Sequence, residues 1–128
     1  SVEQIIGQVG LQRVLTLADH LIGGDLAKSL EYVSTLNRDG YNLTQLNKEL
    51  IAYLRRTLSL RFDPKLESLF AAELTKEQLA RLKIHSQALQ PERQLNLLKS
   101  LIRAYGEMRY SPLAIVPLEV AIIENLRK

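Results

Sequence analysis

Few residues in this chain have the type and spacing to do chemistry. His20 and His85 are its two histidines. Neither has a second histidine or a carboxylate at the spacing a helical zinc site needs, so no metal ligand set can be assembled from them. Each reads instead as a partly buried structural side chain, His85 because it lies one turn after Leu82 on an inner stripe. Gly23-Gly24 follows a helical pattern rather than a strand and lacks the lysine and hydroxyl of a phosphate loop, so it reads as a helix cap. Arg55, Arg56 and Arg61 form the densest basic cluster and could meet phosphate, but cations near a helix C-terminus also complement the helix dipole. No Gly-x-Ser-x-Gly elbow occurs, and no Ser, His and Asp set follows from spacing. No catalytic residue, metal ligand or cofactor is therefore expected. The chemically odd residue is Glu119, a carboxylate inside the apolar run "PLEVAIIENL". If desolvated it should meet an arginine, a tyrosine hydroxyl or free backbone N–H groups; otherwise it sits at a seam and reaches water.

The elements that must position these residues are helices. The 128 residues suit one domain, large enough to bury a core without staples. Leucine is abundant, Trp is absent and there are only two Phe, which favours interdigitating helices over a sandwich. The absence of Cys removes disulfide frameworks and thiolate metal sites and is compatible with a reducing, cytoplasmic setting. No apolar run is long enough to span a membrane and no export signal is visible. Seventeen basic against fourteen acidic residues leave a net charge of +3, too weak to imply nucleic acid. The first residue is Ser, which suggests a piece of a longer chain.

Leu11, Val14, Leu17, Ala18 and Leu21 keep the three-four spacing of one face and stop at Gly23-Gly24. Asp25 caps a second helix with Leu26, Leu30, Val33 and Leu36, ended by Gly40. Asn42 with Gln45 resembles a capping box before Leu43, Leu46, Leu50, Leu54 and Leu58. Asp63-Pro64 breaks that helix, and Leu66, Leu69 and Phe70 allow one or two turns. Thr75 with Gln78 forms a better box ahead of Leu79, Leu82 and Leu89. Pro91 opens a helix carrying Leu95, Leu98, Ile102, Tyr105 and Met108. The last helix starts either at Ser111-Pro112, with a costly kink at Pro117, or at Pro117 itself. No segment alternates at period two for long. The expected fold is all-α, a compact bundle of about five to six helices. In the last helix Leu118, Val120, Ile122, Ile123 and Leu126 cover more than one face, so one side should bury in its own domain and the other against a neighbour.

The stretch "GEMRYSPLAIVPLEVAIIENL" resembles the end of the third domain of the bacterial DNA polymerase III gamma/tau subunit. The resemblance rests on Glu107, Tyr110, Pro112, Leu118, Glu119, Val120, Ile122 and Ile123. "IIGQV" is similar to the junction leaving the preceding lid domain, "LIGGDLAKSLEYVSTLNRDG" to the small helical hairpin, and "LTQLNKELIAYLRRTLSLR" to the long helix after it. Pro117 departs from the pattern. The resemblance implies a linker over residues 1–10 and a helical collar domain over 11–128. It implies packing beside other gamma/tau, delta and delta prime subunits in the pentameric ring of a clamp loader, with the AAA+ ATPase and zinc in a domain this chain lacks. The parent would be a DNA-dependent ATPase within a DNA polymerase holoenzyme, carrying that complex's DNA-binding and nucleotidyltransferase associations. This chain alone would be no enzyme, would sit in the cytoplasm away from membrane, and is not expected to touch nucleic acid directly. Tyr105, Met108, Val116, Glu119, Val120 and Ile123 are the expected interface residues. Two other readings stay open: an α-solenoid-like adaptor, and a helical nucleic-acid-binding module using Arg55, Arg56 and Arg61 on one face.

Overall fold

The computed structural model describes the backbone of residues 2–128 and the side chains of residues 10–128. These residues form an all-α bundle of α1 (Val2–Ile22), α2 (Leu26–Arg38), α3 (Leu43–Phe62), α4 (Leu66–Ala71), α5 (Lys76–Ala88), α6 (Pro91–Met108) and α7 (Ile115–Leu126). The sequence suggests five to six helices; the additional one is α4, where Leu66 and Phe70 sustain six helical residues after the Asp63-Pro64 break. The expected 1–10 linker falls on α1 from Val2 onward, and its side chains up to Val9 lie outside the described residues.

Punctuation follows local chemistry closely. At the end of α1 the Asp25 N–H donates to the His20 carbonyl at 3.0 Å and the Gly24 N–H to the Leu21 carbonyl at 3.1 Å, with Gly24 at φ +74°. That pair of bonds satisfies the last free carbonyls and requires a left-handed residue, which glycine supplies without a Cβ clash. Gly40 ends α2 in the same way, with Tyr41 donating to Leu36 and φ at +79°. Asp25 caps α2 by accepting from the Lys28 N–H, and Thr75 with Gln78 completes a reciprocal box at α5. The Asn42 box is only half made. Asn42 accepts from the Gln45 N–H, but the Gln45 side chain turns away to Glu49 at 3.2 Å.

Neither expected start of the last helix is used: α7 begins at Ile115. Pro117 then stands in the first turn, where an amide N–H has no intrahelical acceptor to lose and the carbonyl four residues back, that of Leu113, lies outside the helix. No kink is needed.

α1 and α3 carry the centre of the core. Val14, Leu15, Leu17, Ala18 and Leu21 of α1 meet Leu46, Leu50, Tyr53 and Leu54 of α3, all buried. α5 packs on both, α6 lies along α3, and α7 closes the bundle against α6 and α2. Each fully buried leucine contributes about 1.5–3 kcal/mol. Helix α6 departs from its expected face. Leu97, Leu98, Leu101, Ala104 and Met108 are buried, whereas Leu95 and Ile102 are 39 % and 51 % exposed. The apolar arc of α6 is wider than one stripe, and because α6 must serve α3 and α7 together, the arc's centre turns inward and its Leu95–Ile102 flank is left outside.

A candidate association surface

On α7, two apolar faces stand on opposite sides of one short helix. Leu118 and Ile122, one turn apart, are fully buried, with Ala121 beside them. Val116, Val120 and Ile123, at i, i+4 and i+7, are 45 %, 47 % and 39 % exposed. At 3.6 residues per turn this second stripe points away from the first. Glu119 lies between the two faces, half-buried, and among the described residues no ion pair reaches it. It therefore takes the seam position and none of the expected partners.

The remaining expected interface residues divide. Tyr105 is half-buried on α6. Met108 is 2 % exposed, and its thioether accepts a hydrogen bond from Asn47 Nδ2 at 3.4 Å, so it belongs to the core rather than to any outer surface. The reason is its place on α6: one turn after Ala104, it faces α3.

A second exposed apolar surface takes in Leu58 and Leu95, two residues expected on inner stripes. Leu58 and Phe62 of α3 line a shallow groove with Pro91 and Leu95 of α6. Phe62 is 71 % exposed. Ile51, Leu58 and Phe62 recur at i, i+7 and i+11, and that run is the signal by which a second stripe on α3 could have been found.

The basic cluster does not form a free cationic face. Arg56 pairs with Glu73 at 2.7 Å and stacks over Phe70. Arg61 Nη1 donates to the carbonyls of Ser86 and Leu89, both at 3.2 Å, and Gln94 Nε2 donates to the same two at 3.0 and 2.9 Å. These are terminal carbonyls of α5, which need partners from outside their own helix. Only Arg55 of the three is fully on the surface.

His85 is buried to 4 % exposure and bridges three helices. Its Nε2 lies 2.6 Å from Asp19 Oδ1 of α1 and its Nδ1 2.5 Å from Tyr53 Oη of α3. A carboxylate only accepts, so Nε2–H donates to Asp19; in the neutral ring, which the lowered pKa favours at neutral pH, Nδ1 accepts from the Tyr53 hydroxyl. Asp19 also pairs with Arg81. Burial pulls the His85 pKa below the ordinary value, with Asp19 opposing, and burial pushes the Tyr53 phenol up. His, Tyr and Asp here hold helices together. His20 packs edge-on against Tyr32 with ring centroids 6.0 Å apart. Among the described residues no group of three or more potential ligands could hold a metal ion, and no helix is long and apolar enough to cross a membrane.

Fold and surface together define an all-α bundle domain whose polar groups serve its own architecture and whose most unusual exposed feature is apolar. The chain matches the family model of DNA polymerase III subunits gamma and tau domain III over residues 1–127, and it belongs to that family. No curated protein and no solved structure gives a significant match.

Proposed function

We propose that this domain is the collar of a clamp-loader subunit, holding gamma/tau beside its gamma/tau, delta and delta prime neighbours in a ring while the ATPase work is done by another part of the parent protein. Residues 1–10 would lead in from the preceding domain and 11–128 form the collar. The reading places the domain in the cytoplasm and gives it no chemistry of its own.

The observation that carries it is the outer stripe Val116, Val120 and Ile123 on a helix whose inner face is already filled. Leaving three adjacent aliphatic side chains in water forfeits burial worth about 25 cal/mol per Å² of apolar surface, which a partner would recover. Glu119 borders this stripe on α7 and joins the proposed contact. Family membership supports association within this complex. A nucleic-acid module is disfavoured, since Arg56 and Arg61 are committed within the fold.

The test is co-assembly. The chain mixed with delta and delta prime from the same organism should elute with them in size-exclusion chromatography, and Val120→Arg with Ile123→Arg should elute alone while keeping the same helical circular dichroism. Co-elution of the double variant, or separate elution of the unaltered chain, would overturn the proposal.

A further inference from the structure

We infer that a pocket between α1, α3 and the turn joining α4 to α5 is a socket for one arginine side chain of a partner protein. Its apolar walls are Leu11 and Val14 of α1, Ala52 of α3 and Leu74 of the turn, and its volume is about 250 Å³. Pockets for drug-sized ligands run to roughly 300–1,000 Å³, so this one suits a side chain rather than a cofactor. It shares no lining residue with the α3/α6 groove or with the outer stripe of α7, and the inference goes beyond the association surface proposed above without resting on it.

The polar groups that line the pocket are engaged inside the fold, with one exception. The Tyr53 hydroxyl is held by His85 and the Arg56 guanidinium by Glu73, so neither offers the pocket a free charge. Glu49 differs. Its Oε1 accepts from Gln45 Nε2 at 3.2 Å, whereas Oε2 is shut away from solvent and has no hydrogen-bond partner among the described residues. Oε2 lies against Gly10 of α1, so closely that a Cβ there would stand 2.9 Å from it. A buried carboxylate oxygen without a donor is costly, and rotation of the carboxylate toward the pocket lets an occupant's donor reach it. Apolar walls with a carboxylate beside them fit a long side chain charged at its tip: the methylenes lie against Leu11, Val14, Ala52 and Leu74, and the head meets Glu49. Arginine matches better than lysine, because its planar fork serves both carboxylate oxygens and its weaker hydration eases enclosure. A free guanidinium compound of this size gains little affinity by itself, so the socket suits an arginine presented by a protein surface.

Butylguanidinium, which reproduces the end of an arginine side chain, is the probe. Followed by amide NMR on the whole chain, it should give saturable shifts in the millimolar range, centred on Glu49, Ala52 and Leu74. The neutral n-butanol should bind about tenfold more weakly or less. Glu49→Gln should lower the affinity for butylguanidinium by about tenfold and bring it level with butanol. Ala52→Phe, at an exposed position, should fill the pocket and abolish the shifts with helical circular dichroism unchanged. Undiminished binding of butylguanidinium by Glu49→Gln, equal binding of butanol, or no saturable shifts in the unaltered chain would each overturn the inference. So would a loss of self-association in Ala52→Phe chains, measured by sedimentation, since a second copy would then be the occupant. None of these results bears on the collar reading, which co-elution with delta and delta prime tests separately.

Discussion

At the residue scale, His85 shows how a chemically capable side chain can be wholly structural. It fastens α5 to α1 through Asp19 and to α3 through Tyr53, and its lowered pKa favours the neutral ring at neutral pH. Because its folded pKa is lowered, the unfolded chain binds the proton first as pH falls. Its contribution is complete above the ordinary histidine value of about 6.5 and is lost as pH drops below that value toward the folded one. Thermal melts between pH 8 and pH 5 should show a falling midpoint below about pH 6.5, with a slope no steeper than about 1.4 kcal/mol per pH unit from this group. His85→Gln should flatten that part of the profile while lowering stability throughout; an unchanged profile would mean His85 is not the titrating group. Tyr53→Phe leaves Nδ1 buried without its donor and is expected to cost about 1–3 kcal/mol in chemical denaturation. The Asp19 contact was not visible in spacing, because i and j lie on different helices and only packing makes them neighbours.

At the element scale, α7 illustrates what a proline means in different turns. A helix interior would lose roughly 3 kcal/mol or more to Pro117, but the first turn has no hydrogen bond there to lose. Pro117→Ala is therefore expected to change stability by less than about 1 kcal/mol, and a gain near 3 kcal/mol would show that α7 is strained. Gly40 behaves oppositely. At φ +79° any side chain is strained, and Gly40→Ala should cost about 1 kcal/mol at the α2 terminus, read from the denaturation midpoint. The sequence pattern placed both glycine caps, since a glycine after an amphipathic run has few other uses. It could not choose the first residue of α7. Pro112 and Pro117 each offer an acceptable first turn, and the decision falls to the packing of Leu118 and Ile122 against α6 and α2.

At the scale of the whole molecule, one continuous core runs from α1 through α3 to α6 and α7. Helical circular dichroism and tyrosine fluorescence should therefore report one coincident unfolding transition, and two separated transitions would contradict a single cooperative unit. Substitutions on the outer faces should leave that transition almost unmoved. Val120→Arg, which removes no contact within the core, is expected to shift stability by under about 0.5 kcal/mol while weakening association. Association and folding are in this way separable. The core is filled without the outer stripe of α7 or the α3/α6 groove, whose apolar side chains stay exposed.

The sequence by itself determined the all-α class, the caps at Asp25, Gly40 and Thr75, and the doubling of apolar faces on the last helix. These depend on residues within a turn or two of one another, where helical periodicity and capping act directly. It also allowed the likeness to the gamma/tau third domain that the family match establishes. Only the tertiary structure decided which apolar face is inside. It buried Met108 and left Leu95 and Ile102 out, because α6 must satisfy two neighbours whose positions no local pattern contains. It committed Arg56 and Arg61 to Glu73 and to the end of α5, and it brought Asp19, Tyr53 and His85 together from three helices. Periodicity gives the direction of a side chain relative to its own helix axis; what stands in that direction is set by the other helices.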